Sequence, residues 1–465
     1  MLAGMSFELR DLPSVSSLLA DERLAALADE LGLSAADVKH GAEVVLNAFR
    51  SQRIADGEPL PEARLREAVV EGVAGSLRRL ALRRFQPVIN ATGIIVHTNL
   101  GRAPLGTKVL DAVRAGLEGY SNLEYELEPG RRGKRGREVE RLLCVLSGAE
   151  AALLVNNNAA AVFLILRTLC AGREVVISRS ELVQIGGGFR IPEILAESGA
   201  VLREVGTSNI TTTHDYASAV GANTAAILKV HRSNFTLSGF TAECTIAELA
   251  PLARERGVLL LEDMGAATLL PESEANKLGL PHPAPSLRAG ADLLCFSADK
   301  VLGLAQGGII LGQRQLAERL RRSPLYRVLR PDKSLLSVIE AGLALLVAGD
   351  YEAIPVNALL RTDLTALKNR AFVLARKLRK DRIEAQVVES EGEIGGGIAG
   401  RKLPSYALAI SGEASPDEMA ARLRTGSPVV LAIVREGRLL VDLRSVLPQQ
   451  DDALLRALVV AAGKG

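Results

Sequence analysis

Tryptophan is absent from this chain, and aromatic residues make up only 3% of it. A broad stacking surface for single-stranded nucleic acid needs aromatic platforms, so that class of function is excluded. Cysteine is scarce too. Cys144, Cys170, Cys244 and Cys295 lie far apart and form no CxxC pair. That spacing argues against a zinc site or a disulfide framework and for a reducing cytoplasm. No apolar run reaches ~18 residues, so no membrane-spanning helix is expected. The start of the chain has no charged-then-apolar leader pattern. An excess of either charge is also missing: 56 Lys and Arg face 54 Asp and Glu, a net +2. Any site for a polyanion is therefore a local patch rather than a global field.

What is present is an ordinary apolar content of 48% over 465 residues, enough for two or three domains with large cores. Residues 1 to about 85 have helical periodicity. Ser34-Ala35-Ala36-Asp37 is a capping box, and Val38, Val45, Leu46 and Phe49 then recur on one face. A second amphipathic helix is expected from about Ala63 to Leu82, with Arg78, Arg79, Arg83 and Arg84 near its end. Those arginines suit the helix dipole and equally suit a phosphate backbone.

From Phe85 the texture changes. Short apolar runs alternate with helical spans at Ala151–Val155, Glu174–Ile177, Val201–Val205, Ala225–Val230, Val258–Leu261, Asp292–Phe296 and Gly308–Leu311. This pattern predicts an α/β fold built on a mostly parallel sheet covered by helices. From about Ala348 a smaller α/β segment follows, with strands near Glu384–Val388, Ala407–Ile410, Val429–Val434 and Arg438–Asp442. Gly395-Gly396-Gly397 within it is expected to be a flexible loop. The division is thus a helical domain over 1–85, a catalytic domain over 86–345 and a small α/β domain over 346–465.

Chemistry concentrates where strands end. Leu293–Phe296 is a buried-strand run that meets Ser297, Ala298, Asp299 and Lys300 before Gly303, Gly307 and Gly308 loosen the backbone. Open α/β sheets bind ligands at the carboxyl ends of their strands. A lysine enclosed there can lose its proton and attack an aldehyde cofactor, although most lysines are surface charges. One strand earlier, Val258–Leu261 ends in Glu262 and Asp263. A carboxylate at that place is what pyridoxal phosphate (PLP) needs opposite its pyridine nitrogen; capping the next turn is the plainer role. Asn156-Asn157-Asn158-Ala159 opens a helix, where free amides can hold a phosphate or asparagine can simply cap. Lys229-Val230-His231-Arg232-Ser233-Asn234 ends another strand, so His231 and Asn234 are candidate ligand contacts. Gly186-Gly187-Gly188 suggests a close backbone approach. The basic run Arg131 to Arg137 is either a polyanion contact or a solvated loop. Arg327 and Arg330, three apart, would share one face if helical and attract an anion.

Together these residues resemble the bacterial selenocysteine synthase family, L-seryl-tRNA(Sec) selenium transferases, which are PLP enzymes of the aspartate-aminotransferase-like fold (fold type I). The resemblance runs nearly end to end. It rests on Leu12-Pro13-Ser14-Val15, Ile89-Asn90-Ala91-Thr92-Gly93, His97-Thr98-Asn99-Leu100-Gly101-Arg102, Glu181-Leu182-Val183 and Phe189-Arg190-Ile191-Pro192. It continues through Val230-His231, Ser233-Asn234, Phe296-Ser297, Asp299-Lys300, Tyr326-Arg327, Arg330 and Asp442-Leu443-Arg444.

The resemblance implies that Lys300 holds PLP as an internal aldimine and that Asp263 pairs with its ring nitrogen. Ser297 and the Asn157-Asn158-Ala159 turn would hold its phosphate. Asp299 with Arg102, Arg327 and Arg330 would bind selenophosphate, and the N-terminal helices would bind seryl-tRNA(Sec). The implied reaction is β-elimination to aminoacrylyl-tRNA followed by selenium addition, in a cytoplasmic homo-oligomer, a homodecamer in the family. The competing reading is a PLP lyase or transaminase acting on a free small amino acid. The chain departs from the family at Ala298, usually glycine, and at Leu304-Ala305, usually Gly-Pro, which puts the loop beneath the phosphate in question.

Overall fold

The computed structural model describes residues 5–6, 11–51, 58–59, 62–82, 85–184, 188 and 190–463. Arg83, Arg84, Gly186, Gly187 and Phe189, named above, lie outside the described residues.

The N-terminal segment contains the helices Val15–Leu19, Glu22–Glu30, Ala35–Ser51 and Glu62–Leu82. Ser34 starts the third as its capping box predicts. Its N–H and hydroxyl donate to Asp37 Oδ2 at 2.7 and 2.8 Å, and the Asp37 N–H returns a 3.3 Å bond to Ser34 Oγ. Val38, Val45 and Leu46 pack against Leu65, Val69, Val73 and Leu77 in a separate core. Gly72 lets the two long helices meet: a Cβ there would stand 3.0 Å from Val45 Cγ1. Arg78 and Arg79 are left exposed.

All seven central apolar runs form strands: Ala151–Val155, Glu174–Ser178, Val201–Val205, Thr224–Val230, Leu259–Ala266, Leu293–Ser297 and Gly308–Gly312. In that numbering the order across the sheet is first, seventh, sixth, fifth, fourth, second, third. Every pair is parallel except those made by Gly308–Gly312, which runs antiparallel to both neighbours. Separate cores cover the two faces. One holds Leu153, Leu164, Val175 and Leu228, the other Leu154, Leu294, Phe296 and Ile339. Burial on both faces is why the inner strands are near-continuous apolar runs, whereas the edge strand Val201–Val205 carries Arg203 and Glu204 and is largely exposed.

The second sheet draws on both ends of the sequence. Its order is Ile433–Arg435, Arg438–Asp442, Ile398–Ser411, Glu384–Gly395 and Ile94–Val96. Val88–Asn90 pairs with Val429–Leu431. Residues 88–96, grouped above with the catalytic domain, thus hydrogen bond to the C-terminal strands. Gly395-Gly396-Gly397 is a tight hairpin turn rather than a flexible loop. It joins strands of 12 and 14 residues, with φ of +70°, +52° and +89° that glycine alone adopts freely. Among the described residues no helix is long and apolar enough to cross a membrane.

Candidate active site

The parallel strands deliver their carboxyl ends to one crevice. Asp263 lies level with Val230 on one neighbouring strand and Cys295 on the other. The ladder then shifts register, and Gly265 at φ +64° turns its N–H back onto Asp263 Oδ1 at 2.9 Å. Asn158 Nδ2 donates to the same oxygen at 2.9 Å. Burial pushes the Asp263 carboxyl above the usual range, opposed by these two donors and by the charges of Lys300 and His231.

Lys300 follows the next strand. Ser297 closes it, the Ala298 N–H donates to Gly307 O at 2.8 Å, and the Gly303 N–H donates to Lys300 O at 2.9 Å. The amine reaches Gly265: a Cβ on that glycine would stand 3.8 Å from Lys300 Nζ. Burial lowers the amine's pKa; Asp263 and Asp299 oppose that shift, and Arg102 adds to it. Asp263 and Lys300 therefore stand in one crevice with Gly265 between them, not on opposite walls.

The substituted residues Ala298 and Leu304 of the loop are packed inside the protein. Ala298 is fully buried beside Gly307, and Leu304 is buried against the helix Lys333–Val347. Gly342 of that helix makes the room. A Cβ there would fall 2.1 Å from Leu304 Cδ2.

At the helix Asn158–Leu169 the cap is formed and the helix start is left open. Asn157 Oδ1 accepts the Ala160 N–H at 2.8 Å, a plain cap. The first two amides, of Asn158 and Ala159, have no acceptor within the helix and remain at its open end. Ser297 reaches the same place through Gly308. The two are paired across the sheet, and a Cβ on Gly308 would fall 2.1 Å from Asn157 O. Asn158 has a second part, as a hydrogen-bond partner of Asp263, that its sequence context did not signal.

Arg102 follows a short 3-10 turn and sits at φ +64°, a strained backbone for arginine. Its guanidinium donates to Asp299 Oδ2 in a short ion pair, and Asp299 is buried. Arg327 and Arg330 do not share a helix face, because the helix spans only Pro324–Val328 and Pro331 follows Arg330. Both instead line a cavity of about 270 Å³ with Arg132, Arg135, Arg321 and Glu124. Arg102 is not among the residues that line that cavity. The basic run is largely paired internally. Arg132 and Arg135 meet Glu124, Arg131 and Arg137 meet Glu126, and Lys134 meets Glu140, at 2.6 to 3.2 Å.

His231 donates its backbone N–H to Asp263 O at 2.8 Å; the residue is exposed overall, yet partial burial of its imidazole lowers the pKa. Asn234 is turned away, donating to Gln184 O at 2.5 Å. Behind them Glu181, fully buried, accepts Lys229 Nζ at 2.5 Å and the Val230 N–H at 2.9 Å. That pair anchors the strand leading to His231.

The crevice suits PLP. A lysine with a lowered pKa, a buried carboxylate, an open helix start and a buried serine hydroxyl are the groups such a cofactor requires. Asn156 Oδ1, Asn158 Oδ1 and Asp299 Oδ1 are buried without a partner among the described residues, and such groups normally find one.

Residues 88–447 match the family model SelA, L-seryl-tRNA selenium transferase. The L-seryl-tRNA(Sec) selenium transferase of Geobacter sulfurreducens is 41% identical over 425 residues, 90% of each chain. That of Moorella thermoacetica is 42% identical over 460 residues, 97% of each. In fold, the chain is similar to D-glucosaminate-6-phosphate ammonia-lyase, with a TM-score of 0.55 at 18% identity, covering 82% of this chain and 96% of that one. With a matching model over most of its length and relatives above 40% identity, this chain belongs to the L-seryl-tRNA selenium transferase family.

Proposed function

We propose that this PLP-dependent enzyme converts L-seryl-tRNA(Sec) to L-selenocysteinyl-tRNA(Sec) with selenophosphate as donor. The observation that carries this reading is the Lys300 amine and the Asp263 carboxylate facing one crevice, in a chain of this family. Bound PLP supplies an electron sink for the bonds at the seryl α-carbon. Lys300 Nζ, its proton affinity lowered by burial, would hold the cofactor and would be the base placed to take the seryl α-proton. Asp263 pairs with the ring nitrogen and keeps it protonated. Ser297 and the Asn158 and Ala159 amides hold the phosphate. Arg102, Arg327 and Arg330 bind the anionic donor, with Asp299 orienting Arg102. The serine C–O bond breaks, a C–Se bond forms, and the water lost from serine balances the one that splits Se–P.

The parts divide accordingly. Residues 1–85 bind the tRNA by shape and backbone contacts, using exposed arginines such as Arg78 and Arg79. Residues 86–345 carry the chemistry and 346–465 close over it. The reaction belongs in the cytoplasm, and a homo-oligomer brings Arg327 and Arg330 of one copy toward the Arg102 of another. The test is single-turnover conversion of seryl-tRNA with selenophosphate, together with the visible absorbance of the bound cofactor. Lys300→Ala should abolish both. A variant that keeps the visible band would overturn the assignment.

A further inference from the structure

The glycine hairpin of the second sheet ends on the catalytic lysine. A Cβ built on Gly397 would stand 2.9 Å from Lys300 Nζ, 3.3 Å from Cδ and 3.4 Å from Cε. Contacts under 3 Å do not occur between real atoms of this kind, so a side chain at 397 and the present course of Lys300 exclude each other. The other two glycines press on the opposite partner. A Cβ on Gly396 would fall 2.3 Å from Val96 Cγ1, and one on Gly395 would fall 2.6 Å from Val96 O. Val96 leads directly into His97 and the Arg102 loop. Gly395 also pairs with Val96 in the sheet. Beneath the turn, Ile394, Ile95 and Val96 share a core with Ala266, at the end of the Asp263 strand, and with Val301, the residue after Lys300. The turn is thus wedged between the segment that carries Arg102 and the lysine itself.

We propose that the Gly395–Gly397 turn is a positioning element for the Lys300 amine, covering it from the small-sheet side, and that Gly397 is required because any side chain there displaces the lysine. This rests on the reading of Lys300 as the cofactor's anchor. The amine is also faced by Asp263, by Asp299 and by the Arg102 guanidinium. The turn adds backbone and α-carbon hydrogens where water would otherwise stand, which fits an amine whose pKa burial lowers. Holding a nucleophile on course is worth a great deal: a displacement of about 1 Å can cost ~100-fold in rate.

The experiment compares Gly397→Ala with Gly437→Ala. Gly437 has a similar left-handed backbone, φ +69°, with nothing within 4 Å of a built Cβ, so it reports backbone strain alone. Cofactor-free protein is mixed with PLP, and the adduct on Lys300 is trapped with borohydride and counted by peptide mass spectrometry across pH. Gly397→Ala should slow attachment at neutral pH by ~10-fold or more and move its pH midpoint upward, since a less covered amine holds its proton longer. It should lower kcat while leaving the KM for seryl-tRNA nearly unchanged. Gly437→Ala should match the wild type.

Unchanged attachment in Gly397→Ala, or equal losses in both variants, overturns the proposal. If Gly397→Ala does not fold by circular dichroism, hydrogen exchange in the wild-type protein decides. The 394–398 amides should be better protected when the cofactor is bound, and equal exchange overturns the proposal. Lys300→Ala run in parallel separates the two levels. If it still forms the visible band, the functional reading fails; if it loses the band while Gly397→Ala behaves as wild type, only the role of the turn fails.

Discussion

Replacing Asp263 by asparagine isolates charge from shape at the centre of the crevice. Asparagine keeps an oxygen for the Asn158 amide and the Gly265 N–H, both at 2.9 Å in the native site, so those two hydrogen bonds survive. What disappears is a negative charge in a buried position. Removing one preorganised electrostatic partner from a closed site typically costs ~3–4 kcal/mol of transition-state stabilisation, or ~100- to ~1,000-fold in rate. Folding should not suffer by comparison. The carboxylate is already disfavoured by its burial, so a neutral isostere should leave stability within ~1 kcal/mol of wild type or raise it. The assay is single-turnover conversion of seryl-tRNA by protein of equal cofactor content, with urea unfolding alongside. A rate within ~3-fold of wild type would refute the pairing of Asp263 with the ring nitrogen. A large loss of stability would instead make Asp263 a structural residue.

Three further outcomes follow from particular contacts. Arg102→Gly relieves a left-handed arginine but strips the buried Asp299 carboxylate of its ion-pair partner, so stability should fall by ~1–3 kcal/mol, while the KM for selenophosphate should climb ~10- to ~100-fold; an unchanged KM removes Arg102 from the donor site. Gly342→Ala drives a methyl group into Leu304 and should cost ~1–3 kcal/mol, much of it recovered when Leu304→Ala is added; an equal cost in both backgrounds means the contact is not the cause. His282 is buried, its Nδ1 accepts the Ala284 N–H at 3.2 Å, and burial holds its pKa below 6.5. As pH falls through 6.5 the unfolded chain takes the proton first, so stability present above that pH is lost below it. The urea midpoint should therefore fall between about pH 7.5 and pH 5.5, and His282→Asn, which can still cap, should flatten the change. An equally steep fall in that variant would clear His282.

Much of the fold was legible because the central strands are buried on both faces. Runs such as Leu293–Phe296 are apolar throughout, and the polar residues Asp263, in the strand Leu259–Ala266, and Ser297, at the end of Leu293–Ser297, mark the crevice edge. Asp263 and Lys300 stood out for that reason. Less legible were groups whose part depends on a distant neighbour. Asn158 has the sequence of a cap or phosphate turn, yet its side chain holds Asp263, 105 residues away. Arg327 and Arg330 have helical spacing, but Pro331 ends the option. The basic run looked free because its acidic partners, Glu124, Glu126 and Glu140, lie on flanking elements.

Local pattern alone determined the helical N-terminal unit, the seven strands with their intervening helices, and the strand-end positions of Asp263 and Lys300. These are matters of period, of helix caps and of breakers between neighbours in the chain. Only the tertiary structure decided the strand order that puts Asp263 mid-sheet. It also carried residues 88–96 into the C-terminal sheet and set Gly397 against a lysine at 300. Long-range strand pairing and close packing choose those partners, and neither leaves a trace in the residues adjacent to the ones that meet.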